Sequence, residues 1–106
     1  MIELYNKRYH RDRYNCGHFV IDFWREIKNE NIEDVILNFA VIGKQKLKKL
    51  KTPVSPSIVI MRDAHRGIHC GVYYMNKIIH LIESGVRGDL IKDLKEFKME
   101  FYQCRQ

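Results

Sequence analysis

The apolar pattern of this chain changes period once, and the change falls at its two prolines, Pro53 and Pro56. Before them, Phe19, Val20, Phe23, Trp24 and Ile27 recur at i, i+1, i+4, i+5 and i+8, which is one face of a helix. After them, residues 58–61, 68–75, 78–82 and 97–102 are rich in Ile, Val, Tyr and Phe and read as strands. Proline lacks a backbone N–H and fixes φ, so Thr52-Pro53-Val54-Ser55-Pro56-Ser57 fits neither a helix interior nor a central strand. It divides a helical half from a strand half. Helices followed by a small antiparallel sheet make an α+β arrangement, and 106 residues supply one domain, 1–106, with one core.

Within the helical half, Asn15 is suited to cap a helix over 15–28, because its side-chain oxygen can accept from unpaired amides of the first turn. A second helix is expected over 32–42, ending near Gly43. The run 44–51 carries five lysines around two leucines and reads as a solvated helix or loop face, with contact to an anionic surface as the alternative. In the strand half, Asn76-Lys77 is a plausible tight turn. Residues 84–88 read as a loop, and 89–96 as a short helix that Asp89 would cap.

A net charge of +6 favours an anionic partner, nucleic acid or bacterial cell wall, or else serves solubility alone. The lysine run has no interleaved aromatic or arginine, so it does not read as a nucleic-acid patch. Three cysteines at wide spacing make no disulfide framework and imply free thiols or a reducing compartment. The first residues lack the apolar stretch of a secretory signal, and no apolar run approaches the ~18–20 residues that span a membrane. The expectation is a soluble chain without an export signal, binding neither nucleic acid nor membrane.

Cys16 would open the first long helix, where the positive end of the dipole and unpaired amides favour thiolate over thiol. The same amides can hold the oxyanion that forms when a thiolate attacks a carbonyl. Such a nucleophile needs an imidazole base, and that imidazole needs an orienting group. Alternation along 68–75 puts His69, Gly71 and Tyr73 on one strand face and Cys70 and Val72 on the other. An even-numbered turn brings His80 onto the His69 face. With Asn76-Lys77 as a strict two-residue turn, however, His80 pairs with Tyr73 and lies about 13 Å from His69 at the usual rise per residue. Contact demands a wider loop centred nearer Met75, or a bulge that shifts the register.

Three other readings concern the same neighbourhood. His18, about 200° around the helix from Cys16, belongs with Asp22 and Arg25 on a polar face. Cys70 reads as core, and His10 and His65 as loop residues without evident partners. Cys16, His18, His69 and Cys70 are all legitimate zinc ligands, but their spacing does not wrap one ion, so no metal or other cofactor is expected.

Taken together, Asn15-Cys16-Gly17-His18-Phe19-Val20 opening a helix, His69-Cys70-Gly71-Val72-Tyr73-Tyr74 on a strand, and Ile78-Ile79-His80 on the next are similar to the NlpC family of papain-like cysteine peptidases. The likeness covers about residues 5 to 83. Asn15, Gly17 and His18 stand where that family commonly has Asp, Ser and Gly. The resemblance implies a papain-like NlpC fold, with N-terminal helices packed on a small antiparallel sheet. It implies Cys16 as nucleophile, His69 as general base and acid, and His80 as orienting group. The implied substrate is a peptidoglycan peptide. Tyr5 and Tyr14, near the nucleophile in sequence, are expected to line the substrate cleft. A short chain of this kind resembles the small tail-associated peptidases of tailed phages, which implies a place in the virion, or in the bacterial cytoplasm before assembly, beside other tail proteins. A catalytically inactive tail component keeping the same fold is the alternative.

Overall fold

The computed structural model describes residues 2–36, 43–65 and 67–105. Among the described residues there are three α-helices: α1 (Ile2–Tyr5), α2 (Cys16–Lys28) and α3 (Glu33–Ile36). Six strands, β1 (Leu47–Lys49), β2 (Ser57–Asp63), β3 (Gly67–Tyr74), β4 (Lys77–Ile82), β5 (Gly85–Asp89) and β6 (Lys98–Cys104), form one antiparallel sheet. Their order is β1-β6-β2-β3-β4-β5. The domain is α+β.

Helix α2 forms where its apolar stripe and its cap agree. Asn15 has extended backbone and its Oδ1 accepts from the amides of Gly17 and His18, while the Asn15 N–H donates to His18 Nδ1. This reciprocal pairing is a capping box, and it satisfies donors that the first turn leaves unpaired. At the other end Asn29 adopts the left-handed conformation and its N–H closes on the Arg25 carbonyl. Phe19, Val20, Phe23 and Trp24 between them are fully buried. At roughly 1.5–3 kcal/mol for each large apolar side chain, that packing rather than helix propensity holds α2 to the sheet.

The stripe lies on one face of the sheet, against Ile58, Ile60, Cys70, Val72, Ile79, Leu81 and Tyr102. The opposite face carries a second, smaller cluster of Val59, Met61, Ile78, Leu94 and Phe101, edged by Tyr73, Phe97 and Met99. Alternation along each strand assigns its residues to these two layers. No helix among the described residues is long and apolar enough to cross a membrane.

Several expectations are corrected by the strand pairing. Of the expected loop 84–88, Ser84 is a turn residue and 85–88 lie within β5, which pairs with β4 from Ile82–Gly85 to Ile78–Asp89. Asp89 therefore ends a strand and caps no helix; of the helix expected over 89–96 only a 3-10 turn, Ile91–Asp93, exists, preceded by Leu90 without a side-chain cap. Within the expected second helix 32–42, only α3 is helical among the described residues, and 37–42 lie outside them. The lysine run holds a 3-10 turn, Gly43–Lys46, and edge strand β1, which buries Leu47 and leaves Lys48 and Lys49 exposed. Lys46 is ion-paired with Asp34, and Lys49 with Glu100 at 2.8 Å.

The hairpin turn is one residue earlier than expected. Met75 and Asn76, both with positive φ (51° and 69°), are its two central residues, as a type I′ turn requires. The register becomes Tyr74–Lys77, Tyr73–Ile78 and Val72–Ile79. His80 then falls beside Gly71 rather than opposite Tyr73.

Candidate active site

The described ladder between β3 and β4 ends at Val72–Ile79, while β3 continues to pair with β2 and β4 with β5. Beyond that point β4 runs close over Gly71. A Cβ at position 71 would lie 3.0 Å from His80 Cβ, from Ile78 Cγ2 and from the Ile79 carbonyl oxygen. Glycine, lacking that atom, lets the two strands approach this closely without either having to give. The approach brings the His69 and His80 imidazoles together, with His69 Nε2 2.9 Å from His80 Nδ1 and the ring planes at 68°. The separation that a two-residue Asn76-Lys77 turn would impose does not arise.

His80 is buried, and its Nε2 stands 2.7 Å from Asp89 Oδ2. The other Asp89 oxygen accepts from Arg87 at 3.0 Å. Burial works to raise the Asp89 pKa, but the His80 hydrogen bond and the Arg87 guanidinium outweigh it and hold the carboxyl below its ordinary range. Asp89 is thus an ionised acceptor, so His80 Nε2 carries the hydrogen between them. Burial lowers the His80 pKa, and the charge of a protonated His69 lowers it further, against the Asp89 contact that raises it. In the neutral ring Nδ1 is then an acceptor, and it receives the hydrogen of His69 Nε2. His69 Nδ1 is then the ring nitrogen that His80 does not engage.

Cys16, the first residue of α2, is half-buried and interacts with both Cys70 and His69 of β3. Its Sγ lies 3.6 Å from Cys70 Sγ on the helix-facing side. The Cys16 pKa is lowered to about 4. The Cys70 thiol hydrogen bond is the largest cause; burial opposes it, and the hydrogen bond and charge of His69 and the backbone amide of Cys70 add to the lowering. The Asn15 cap takes the Gly17 and His18 amides and leaves that of Cys16 outside its grip. The Cys70 thiol is correspondingly pushed up, by its bond to Cys16 and by burial.

The structure therefore brings Cys16, His69 and His80 into one chain of contacts ending at Asp89. Sequence reasoning missed Asp89, whose signal was its place five residues into a segment that a tight turn at Glu83-Ser84 folds back along β4. It also reads Cys70 as core alone; the residue is core, and it touches Cys16 as well. Tyr5 meets Phe23 edge-on at 6.0 Å between ring centroids. Tyr14 donates to Asp22 Oδ2 at 2.6 Å, stacks on His18, and lines a depression of about 200 Å³ with Ile21 and Arg25 along the flank of α2. A larger depression, about 570 Å³, lies beside Ile32, Val35 and Cys104. Neither has Cys16 or His69 in its lining.

His18 occupies the capping box, on the polar side of α2 as its helical angle implies. His10, expected to lack partners, accepts from the Asp12 and Arg13 amides through Nδ1 at 3.3 and 3.2 Å, and the His65 amide donates to Asp63. Among the described residues no group of three or more His, Cys, Asp or Glu side chains is placed to hold a metal ion. No protein-family model matches the sequence, and comparison with curated proteins gives no match.

Proposed function

We propose that this protein is a cysteine peptidase or amidase of the papain-like NlpC type, acting on amide bonds of peptidoglycan peptides and carried by a phage tail. The observation that supports the chemistry is the series Cys16, His69, His80, Asp89, in which each group fixes the protonation or tautomer of the one before it. The wall substrate and the tail setting rest on the sequence resemblance.

In this reading the Cys16 thiolate attacks the carbonyl carbon, and the oxyanion that forms is met by the Cys16 amide at the positive end of α2. Protonated His69 gives its Nδ1 proton to the leaving amine as the C–N bond breaks, leaving an acyl-enzyme. Water then donates a proton to the same nitrogen as it attacks the thioester, and the Cys16 thiolate departs. Throughout, His80 accepts from His69 Nε2 and holds the ring, and Asp89 holds His80.

The test is incubation with purified peptidoglycan, following the appearance of new amino groups. Turnover that disappears in Cys16→Ala and in His69→Ala supports the proposal. Wall digests unchanged by the folded wild-type chain overturn it, and leave the inactive tail component as the better account.

A further inference from the structure

Cys70 makes and breaks no bond in the hydrolysis described above, yet it places a second sulfur 3.6 Å from Cys16. A disulfide needs about 2.05 Å between sulfurs, so a small approach of two side chains closes the gap. The partners come from separate elements, one at the start of α2 and one in β3, fifty-four positions apart. We propose that Cys16 and Cys70 form a reversible disulfide when the protein meets a peroxide, a covalent modification that masks the nucleophile. This goes beyond the hydrolase reading and does not depend on it.

The two sulfurs differ in the way the reaction needs. Cys16 is half-buried and held as thiolate, the form that attacks peroxide, while Cys70 is buried and held as thiol. The Cys16 thiolate attacks one peroxide oxygen, forming an S–O bond as the O–O bond breaks. The departing hydroxide takes a proton to become water. Cys70 then loses its proton and attacks the Cys16 sulfur; the S–S bond forms, and the sulfenic hydroxyl leaves with that proton as a second water. Two thiols are oxidised by two electrons and one peroxide is reduced to two waters. Buried Cys70 meets no other oxidant first, so the order of events is set by exposure.

Cys104 serves as an internal control, since it ends β6 and its thiol is pushed up to about 11 by burial and by Glu30. The experiment treats the reduced full chain with hydrogen peroxide, digests it without reductant and identifies linked peptides by mass. A Cys16–Cys70 peptide that disappears on adding dithiothreitol, and that forms equally in Cys104→Ser, is expected. In Cys70→Ala, dimedone should trap a Cys16 sulfenic acid that has no second thiol to close on, and sulfinic acid should make up a several-fold larger share of the oxidised Cys16 than in wild type. The proposal is overturned if wild type yields Cys16 sulfinic acid without the linked peptide, or links Cys104 instead. The wild-type measurement decides even where Cys70→Ala does not fold. No peptide substrate enters the assay, so its outcome is separate from the fate of the hydrolase proposal.

Discussion

Asp89 decides which nitrogen of His80 carries the hydrogen: its Oδ2 stands 2.7 Å from His80 Nε2 and, being ionised, it only accepts. His80 Nδ1 is thereby free to receive His69 Nε2–H at 2.9 Å. Two residues of β4 and β5 thus set the orientation of the His69 imidazole on β3.

Asp89→Asn tests this arrangement. An amide can donate to His80 Nε2, which shifts the His80 hydrogen to Nδ1 and sets it against the His69 Nε2–H. The Cys16 thiolate should then titrate at higher pH, measured by the rate of iodoacetamide alkylation, and that rate at pH 6 should fall several-fold. Asp89→Ala should also lose about 1.5–3 kcal/mol in urea unfolding, the usual worth of a hydrogen bond to a charged group. An alkylation profile identical to wild type in Asp89→Asn removes Asp89 from the site.

The three thiols should separate by pH. An ordinary cysteine with pKa near 8.5 reacts about tenfold faster for each unit that pH rises from 6 to 8. Cys16 is already thiolate above about pH 4, so its alkylation should be flat across that interval. Cys70 and Cys104, both raised, should stay unlabelled at neutral pH in the folded chain. His69→Ala removes one hydrogen bond and one charge that favour thiolate but leaves the larger Cys70 contribution, so alkylation of Cys16 should begin at a higher pH than in wild type without reaching that of an ordinary thiol. A tenfold-per-unit rise in wild-type Cys16 contradicts the thiolate assignment.

What was legible in the sequence follows from how local each signal is. Helix α2 carried its own stripe, cap and stop, and so placed Cys16 at a helix start. Alternation placed His69 and His80 on a shared strand face. The turn was less legible because Met75 is a poor residue for positive φ, and the neighbouring Asn76-Lys77 is the more orthodox pair. Strand β5, Gly85-Val86-Arg87-Gly88-Asp89, has two glycines and two charged residues and no apolar alternation; it exists because β4 offers it an edge. Strand β1 buries one leucine among lysines and depends in the same way on β6. Without that pairing partner in view, Asp89 reads as a helix cap, and the last member of the site is hidden with it.

Gly71→Ala is the sharpest test of the strand crossing. The added methyl would stand 3.0 Å from the His80 and Ile78 side chains and from a backbone oxygen of Ile79, and the oxygen has no rotamer by which to yield. Strand β4 must lift. The cost expected is about 1–3 kcal/mol, as for other insertions into a filled interior, measured by chemical denaturation. The same movement should part His69 from His80, so the alkylation profile of Cys16 should move toward that of Asp89→Asn. Unchanged stability and unchanged alkylation together would mean that the strands are not held so close.

Asn15 couples helix stability to sulfur position. Its Oδ1 accepts from Gly17 at 3.0 Å and its Nδ2 donates to the Arg11 carbonyl at 3.1 Å, so it fixes both the first turn and the chain entering it. Asn15→Ala should cost about 1 kcal/mol, the usual loss for a cap. Asn15→Asp keeps the acceptor and adds a negative charge at the positive end of the helix, so most of the stability should remain. That same charge, one residue from Cys16, opposes thiolate formation and should raise the pH at which alkylation begins. Stability and thiol acidity would then move separately in the two variants, read by urea unfolding and by alkylation rate. Parallel loss of both in Asn15→Asp would show that the residue acts on Cys16 only through the integrity of α2.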